Sequence, residues 1–419
     1  MSLNSTPSAE RTYIGIFGRR NAGKSSLINA ITGQSLAIVS DTLGTTTDPV
    51  SKAMEILPLG PVVLIDTPGL DDEGTLGSQR VEKAYEVLRK CHIALLVVDI
   101  NEGMSELEEE FLQELKLRKI PYLICYNKCE LKAENNRSEL TEIADEIRNS
   151  DKTDLKSKAD ADNIICVSAK ENIGITELKE RLAKLLPKES EKHLVADLVE
   201  PLDTVVLVVP IDASAPKGRL ILPQQQTIRD LLEKGAIPVV CRETELKATL
   251  DKLKEPPKLV ITDSQAFKLV AQIVPEDISL TSFSILMARY KGDFNWQYEG
   301  VKTLDTIEDG DKILISEGCT HHRQCGDIGT VKLPALIRKY TGKEIELTFT
   351  SGGEFPEDLG EYKLIIHCGG CTLNEKEMQY RIAAAKAAGV PITNYGMTIS
   401  YVNGILERSI RIFKNNNEI

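Results

Sequence analysis

The chain is 419 residues long, enough for two to four domains that each bury a core. Its 51 basic and 63 acidic residues give a net charge of -12, which disfavours nucleic acid or an anionic membrane as a partner. Neither a membrane-spanning apolar run nor the pattern of a signal peptide is found in the sequence. We therefore expect a cytoplasmic protein whose nine cysteines are core residues, metal ligands or reactive thiols rather than disulfides.

The first part of the chain alternates short β-branched segments with helical ones, which is typical of a mostly parallel α/β sheet. The predicted elements are strands at 12–17, 62–66, 93–99, 122–127 and 164–168 and a helix at 25–31. A charged stretch from Pro187 predicts a linker. A first domain is therefore expected at residues 1–190.

Two smaller α/β domains are predicted after the linker, at residues 191–275 and 276–419. The elements predicted in the middle domain are strands at 204–209, 238–242 and 259–262 and a helix at 224–234. The last domain has predicted strands at 312–316 and 363–366, each followed directly by a cluster of Cys and His. The predicted fold class is α/β, with an N-terminal P-loop domain followed by two smaller α/β domains.

A phosphate-binding loop is predicted at 18–25, where the sequence GRRNAGKS lies between a strand and a helix. Its backbone N–H groups and Lys24 would hold phosphates, and the Ser25 hydroxyl would bind Mg²⁺. Asp66 ends a predicted strand and would hold the same Mg²⁺ through water, while the Gly69 N–H would contact the γ-phosphate. These residues predict nucleotide hydrolysis.

A second set of residues predicts recognition of the base. Asn127, Lys128 and Glu130 follow a predicted strand, and a carboxylate at the last position accepts two hydrogen bonds from guanine but opposes adenine. The segment 168–170, Ser-Ala-Lys, would close over the base. The predicted ligand is therefore GTP or GDP.

These motifs in this order resemble the translation-factor-like GTPases, in particular the tRNA-modifying and Era-like branch, over the first domain. The segment 44–48 (GTTTD) matches the switch I of that branch, which implies that Thr46 binds Mg²⁺. Glu130 stands where these proteins usually have Asp, so the contact with guanine must absorb one extra methylene. Leu70 stands where Ras-like proteins carry the Gln that orients the attacking water.

Related GTPases with an apolar residue at that position use a K⁺ held partly by the Asn of the phosphate-binding loop. Asn21 has this position, so the resemblance implies a K⁺ site, whereas the other interpretation of Asn21 is an ordinary loop residue that caps the helix. The predicted catalytic residues are Lys24, Thr46, Asp66 and Gly69. The predicted nucleotide-binding residues are Arg20, Asn21, Ala22, Gly23, Lys24, Ser25, Ser26, Thr46, Asp66, Thr67, Gly69, Asn127, Lys128, Glu130, Ser168, Ala169 and Lys170.

Two short Cys/His clusters in the last domain indicate a metal site. Cys319 and His321 follow one predicted strand, and Cys368 and Cys371 follow another. Thiolates select soft metals, either zinc or iron with sulfur. Further candidate ligands are His322, Cys325 and His367. Ligands at the ends of neighbouring strands would meet on adjacent loops.

This pattern behind a GTPase domain, with the segments 288–293, 351–358 and 389–396, resembles the [FeFe]-hydrogenase maturation GTPases, the HydF family, over essentially the whole chain. The resemblance implies a middle domain that forms a homodimer. It also implies a scaffold or carrier for the 2Fe subcluster, which is received from radical-SAM maturases and passed to apo [FeFe]-hydrogenase.

The resemblance further implies a [4Fe-4S] cluster held by three thiolates, those of Cys319, Cys368 and Cys371. An exchangeable group would hold the fourth iron: His321, a carboxylate such as Glu317, water or an incoming diiron precursor. Arg289 and Lys291 would either offset the charge of that precursor or form an ordinary solvated pair.

Two other interpretations stay open. One is a regulatory or RNA-processing GTPase whose last domain holds structural zinc through the same Cys and His residues. The other is a GTP-dependent redox enzyme that uses Cys368 and Cys371 as a dithiol.

Overall fold

The computed structural model describes residues 6–33, 50–71, 75–131, 163–186, 192–211, 220–318 and 327–414, without the side chains of residues 8 and 75–82. The chain divides into two compact units, Met1–Ser190 and Glu191–Ile419. Among the helices of these residues, none is long and apolar enough to cross a membrane.

The first unit is built on one sheet with the strand order β2-β3-β1-β4-β5-β6. Its strands are β1 (Thr12–Phe17), β2 (Val50–Ile56), β3 (Gly60–Asp66), β4 (Ile93–Asp99), β5 (Tyr122–Asn127) and β6 (Ile164–Cys166). Helices described here are α1 (Lys24–Thr32), α2 (Thr75–Lys90), α3 (Glu106–Leu117) and α4 (Ile175–Lys184). Every residue of the central strand β4 is buried, as expected for a parallel strand covered on both faces.

The observed sheet differs from the predicted one at two places. The edge strand β2, which pairs antiparallel with β3, is not predicted, because its alternation of exposed and partly buried residues contains few strongly apolar positions. The predicted strand 164–168 ends at Cys166 instead. Ser168 forms an isolated antiparallel bridge with Ile173, which turns the chain away from the sheet.

The second unit contains two parallel sheets, with the orders β10-β9-β7-β8 and β12-β11-β13-β14. The first is made of β7 (Thr204–Val208), β8 (Ile237–Cys241), β9 (Leu259–Thr262) and β10 (Ser279–Ser282). The second is made of β11 (Lys312–Glu317), β12 (Glu346–Ser351), β13 (Leu364–His367) and β14 (Ile392–Asn394). The parallel directions confirm the α/β class.

Helices cover these sheets and join them. They are α5 (Leu222–Lys234), α6 (Leu246–Lys252), α7 (Phe267–Ile273), α8 (Phe283–Lys291), α9 (Phe294–Val301), α10 (Leu333–Thr341), α11 (Glu375–Ala387), α12 (Tyr395–Val402) and α13 (Leu406–Lys414). One hydrophobic cluster runs from Leu194 to Phe413 and includes residues of both sheets. The two sheets therefore share a core, and the predicted division at residue 275 stays a prediction.

Candidate nucleotide and metal sites

The phosphate-binding loop lies between β1 and α1, as predicted. Its backbone takes positive φ at Gly18 (140°), Asn21 (59°) and Gly23 (92°), a conformation that glycine adopts without strain. A Cβ on Gly18 would lie 2.1 Å from the Val97 carbonyl oxygen, so this position also requires glycine for close packing on β4. Helix α1 begins at Lys24, which leaves its first N–H groups directed at the loop.

Ser25 and Asp66, two of the residues predicted to hold Mg²⁺, are brought together at the start of α1 and the end of β3. The Ser25 Oγ donates to Asp66 Oδ2 at 2.7 Å, while Asp66 Oδ1 is buried and has no hydrogen-bond partner. Burial raises the pKa of Asp66, against the opposing effects of the Ser25 hydrogen bond and the Lys24 charge. A buried carboxylate oxygen without a partner beside a hydroxyl suits a divalent cation.

The Lys24 side chain is largely buried and lies along its own loop. Its Nζ donates to the carbonyl oxygens of Gly18 at 2.9 Å and Arg19 at 2.8 Å. These contacts hold the ammonium at the phosphate side of the loop, where it can reach the β- and γ-phosphates.

The segment after β3 packs directly onto the phosphate-binding loop. The Leu70 N–H donates to the Gly18 carbonyl at 3.3 Å, and the Arg20 N–H donates to Asp71 Oδ1 at 2.6 Å. A Cβ on Gly69 would lie 3.0 Å from the Arg20 nitrogen and 2.8 Å from Asp71 Oδ1. Glycine at position 69 therefore allows this segment to pack closely on the phosphate-binding loop, and the contact of its N–H with a γ-phosphate stays a prediction.

Arg19 and Glu108 form a link to α3 that sequence reasoning missed. The Arg19 Nε donates to Glu108 Oε2 at 3.1 Å, and its Nη2 donates to the Gly103 carbonyl at 2.9 Å. The fully buried Glu108 also completes a capping box with Ser105 at the start of α3. The capping pattern is readable in the sequence, but the partner in the phosphate-binding loop is 89 residues away.

Asn127 joins the phosphate end of the site to the base end. Its Nδ2 donates to the Ala22 carbonyl at 3.0 Å, and its Oδ1 accepts from the Ala169 N–H at 3.0 Å. A Cβ on Gly23 would lie 2.2 Å from this Nδ2, so the second loop glycine makes room for the amide. Asn127 thus connects the two loops that are predicted to contact the nucleotide.

The other residues predicted to recognise guanine have separate surroundings. The Lys128 Nζ forms an ion pair with Asp99 at 2.7 Å; burial would raise the pKa of Asp99, but hydrogen bonds from Lys128 and Asn101 hold it below its usual value. Glu130 Oε2 is buried without a hydrogen-bond partner, as a group meant to accept from guanine would be. Lys170 is largely exposed and lies 3.7 Å from the Glu171 carboxylate.

Other predicted nucleotide residues occupy ordinary positions around the loop. Ser26 lies in α1, Ala22 is buried, and the Thr67 Oγ1 donates to the Ile16 carbonyl at 2.6 Å. The predicted Mg²⁺ ligand Thr46, with the rest of 44–48, lies outside the described residues. Its role stays a prediction.

The strands that precede the two predicted ligand clusters lie side by side. Strand β11 pairs with β13, and the Cys368 N–H donates to the Ser316 carbonyl at 2.9 Å. The Gly318 N–H donates to Cys368 Sγ at 3.0 Å, and Thr372 Oγ1 donates to the Gly318 carbonyl at 2.8 Å. Gly318, immediately before Cys319, is therefore bound to the Cys-x-x-Cys turn, whereas the loop that follows it lies outside the described residues and the adjacency of the two ligand loops stays a prediction.

The turn itself leaves both thiols partly accessible. Cys368 Sγ accepts a second backbone hydrogen bond, from Gly370 at 3.4 Å, and Gly370 has a φ of 62°. Burial raises the pKa of the Cys371 thiol, the nearby Cys368 adds to this effect, and Lys291 opposes it. A raised pKa favours the protonated Cys371 thiol in the free protein, so binding of a metal at this sulfur would release a proton.

His367 is positioned as a support for this turn, with both ring nitrogens engaged inside the fold. It is 1% exposed, its Nδ1 lies 2.8 Å from the Cys368 carbonyl oxygen and its Nε2 lies 3.0 Å from Arg381 Nη1. The fully buried Arg381 also donates to Ser316 Oγ at 3.2 Å and to the Gly352 carbonyl at 2.8 Å. Arg381 is a residue that sequence reasoning missed, because its partners come from three different strand ends.

The candidates for the fourth ligand are only partly described. Glu317 is buried at the end of β11 and accepts from the Tyr395 hydroxyl at 3.2 Å. Within the described residues no group of three His, Cys, Asp or Glu side chains forms a metal site. The ligand candidates Cys319, His321, His322 and Cys325 lie outside those residues.

Three family models match successive parts of the chain. The model of the hydrogen maturase F dimerization domain matches residues 194–292, and the model of its tetramerization domain matches residues 295–412. A third model, described as a 50S ribosome-binding GTPase, matches residues 13–128.

Individual relatives share the first unit. The tRNA modification GTPase MnmE of Lactiplantibacillus plantarum is 30% identical over 175 residues, 42% of this chain and 34% of that protein. GTPase Der of Nitratidesulfovibrio vulgaris is 38% identical over 120 residues, 28% of this chain and 24% of that protein. The chain thus spans about a third or less of the length of these relatives. A solved structure of an Aquifex aeolicus Era variant has a TM-score of 0.36 and 21% identity, over 54% of this chain and 91% of that chain.

The phosphate-binding loop, the guanine residues and the match at 13–128 define the first unit as a P-loop GTPase domain. The two hydrogen maturase F matches together span more than half of the chain. The chain therefore belongs to the hydrogen maturase F family and carries an oligomerization region. Tetramerization is not predicted from the sequence.

Proposed function

We propose that this chain is a GTP-hydrolysing scaffold that binds a [4Fe-4S] cluster and assembles or delivers the 2Fe subcluster of [FeFe]-hydrogenase. The observation that carries the proposal is the contact between the two Cys-bearing loops, through the Gly318 N–H on Cys368 Sγ and Thr372 on the Gly318 carbonyl. Cys319 follows Gly318 directly in the sequence, and Gly318 is bound to the Cys368–Cys371 turn. This arrangement lies in the second unit of a hydrogen maturase F chain.

In the GTPase domain, Lys24 would neutralise the β- and γ-phosphates, and Ser25 and Asp66 would hold Mg²⁺ with Thr46. When bound, Mg²⁺ supplies positive charge to the transferring phosphoryl group. The Gly69 N–H would contact the γ-phosphate, and Glu130 would accept from the guanine base. Leu70 offers no group to orient the attacking water. K⁺ at Asn21 would add positive charge beside the transferring phosphoryl group.

In the second unit, Cys319, Cys368 and Cys371 would supply three thiolates. When bound, the cluster supplies one iron whose last coordination position can be exchanged. His321 or Glu317 would lie beside that position, with water or the diiron precursor as the other occupants. Since the two ring nitrogens of His367 already face Arg381 and the Cys368 carbonyl, His367 would orient the turn rather than bind iron.

The proposed partners are radical-SAM maturases, which provide the diiron precursor, and apo [FeFe]-hydrogenase, which receives it. The proposed assembly is a homodimer. GTP would act on these contacts through its switch segments, which are ordered by the γ-phosphate and relax after hydrolysis. Neither hydrolysis nor the nucleotide takes part in the iron chemistry under this proposal.

The test is anaerobic reconstitution with ferrous iron and sulfide, followed by iron and sulfide analysis and EPR. Wild type should gain a stoichiometric cluster, and Cys319→Ala, Cys368→Ala and Cys371→Ala should each lose most of it. Retention of the cluster in all three variants would refute the ligand set. A colourless protein that releases one Zn²⁺ would instead support the GTPase with a structural zinc domain.

A further inference from the structure

Lys291 is a buried lysine whose ammonium lies inside the turn that carries Cys371. The residue is 3% exposed, and its Nζ donates to the carbonyl oxygens of Gly370 at 3.2 Å, Cys371 at 3.3 Å and Leu373 at 2.8 Å. Three carbonyls that converge on one nitrogen cannot all keep their directions if the nitrogen is removed. The turn is therefore folded around this ammonium.

The lysine reaches the turn from another part of the sequence. It is the last residue of α8, within the match to the dimerization domain, whereas the cysteine turn belongs to the match to the tetramerization domain. Gln379 Nε2 donates to the Lys291 carbonyl at 2.9 Å, which fixes the end of α8 against α11. The position of this ammonium is set by packing between two matched domains of the second unit.

Arg289, the neighbouring basic residue, has different contacts. The Arg289 guanidinium forms an ion pair with Asp197 and donates to the carbonyls of His193 at 3.3 Å and Leu194 at 3.4 Å. Its charge is thus used to hold the start of the second unit. The two basic residues do not form the solvated pair that is one interpretation of the sequence.

A fixed positive charge in the turn would affect the reduction potential of a cluster bound there. An ammonium in a partly desolvated site interacts strongly with nearby anions, and thiolates with a bound cluster are anionic. One-electron reduction adds a further negative charge, so a nearby cation stabilises the reduced state and raises the reduction potential.

We propose that Lys291 is a positioning residue of the iron–sulfur site, which holds the Cys371 segment through backbone carbonyls and supplies a fixed positive charge beside the cluster. This inference rests on the proposed function, because it presupposes iron and sulfur at the thiols.

The test compares full-length Lys291→Met, Lys291→Gln and the control Lys386→Met after the same reconstitution. Lys386 pairs with Asp293 at the surface of the same unit, so its substitution removes one positive charge without touching the turn. Lys291→Met should lower cluster occupancy severalfold. Lys291→Gln keeps N–H donors, so it should retain more cluster but show a more negative midpoint potential and an altered EPR spectrum. The control should match wild type.

The outcomes separate this inference from the proposed function. If wild type binds no cluster, the proposed function fails. If wild type binds a cluster and both Lys291 variants match it in occupancy, potential and EPR spectrum, Lys291 has no role at the cluster. If circular dichroism shows that neither Lys291 variant folds, the lysine serves the fold and its assignment to the cluster is overturned.

Discussion

Asp66 is the residue at which stability and function conflict most directly. Burial raises the pKa of its carboxyl group above the ordinary range, and one carboxylate oxygen is buried without a hydrogen-bond partner. A raised pKa in the folded state contributes stability below the unfolded pKa, and this contribution is lost as the pH rises through the folded pKa. At neutral pH the ionised carboxylate therefore destabilises the free protein, and bound Mg²⁺ would reverse the effect.

We predict that Asp66→Asn, without nucleotide at pH 7, unfolds at a temperature no lower than wild type does. GTP hydrolysis in the same variant should fall about 100-fold or more, because a group that stabilises the transferring phosphoryl charge is lost. Thermal melts and phosphate release measure the two effects. Glu55→Gln, on an exposed position of β2, is the matched control and should change neither. Hydrolysis at the wild-type rate in Asp66→Asn would contradict the assignment.

Asn21 allows a direct test of the K⁺ site. Its φ of 59° is one that glycine tolerates, so Asn21→Gly removes the side chain without straining the loop. Wild type should hydrolyse GTP faster in K⁺ than in Na⁺, and the variant should show equal rates in the two salts. Equal rates in wild type would show that Asn21 is an ordinary loop residue.

At the scale of elements, Arg381 joins the ends of three neighbouring strands. Its guanidinium contacts Ser316 at the end of β11, Gly352 after β12 and His367 at the end of β13, and it pairs with Glu377 one turn earlier in α11. The strand ends next to the predicted metal ligands are thus held by one buried cation.

We predict that Arg381→Met lowers the free energy of unfolding of the second unit by about 3 to 5 kcal/mol, because Glu377 and the strand-end acceptors lose a buried charged partner. Urea denaturation followed by circular dichroism measures this change. Arg229→Met removes a similarly spaced but exposed pair with Glu233 in α5 and should leave the unfolding midpoint nearly unchanged. Equal midpoints for the two variants would show that the Arg381 network contributes little.

Strands with strong apolar runs could be predicted from the sequence, and so could the edge strands β6 and β8, whereas the edge strands β2, β10, β12 and β14 could not. The predictions 93–99 and 122–127 match β4 and β5, which are buried throughout. Strand β12 is mostly exposed or half-buried, and the short β14 has three residues, so neither gives a clear periodic signal. Motif residues could be named from the sequence because their spacing is local. The contacts of Glu108, Arg381 and Lys291 could not be predicted, because their partners are far away in the sequence.

For the whole molecule, the division into two compact units separates the nucleotide site from the cysteine turn. We predict that Lys24→Ala abolishes GTP hydrolysis but reconstitutes the same iron and sulfide content as wild type, because Lys24 belongs to the first unit and the cysteine turn to the second. Malachite-green phosphate release and iron analysis on one preparation measure both. Loss of the iron chromophore in this variant would refute the separation, and Lys339→Ala, on the exposed surface of α10, is the control.

The amide of Asn127 has a thermodynamic consequence for nucleotide binding. Because it holds the Ala22 carbonyl and the Ala169 N–H at the same time, ordering of the loop at one end of the ligand lowers the entropic cost of ordering the other. The intact nucleotide should therefore bind more favourably than guanosine and free pyrophosphate do in sum. The difference in binding free energy should exceed the gain expected from covalent linkage alone. Affinity in this pocket is a cooperative property of both loops, and part of it disappears whenever the ligand is incomplete.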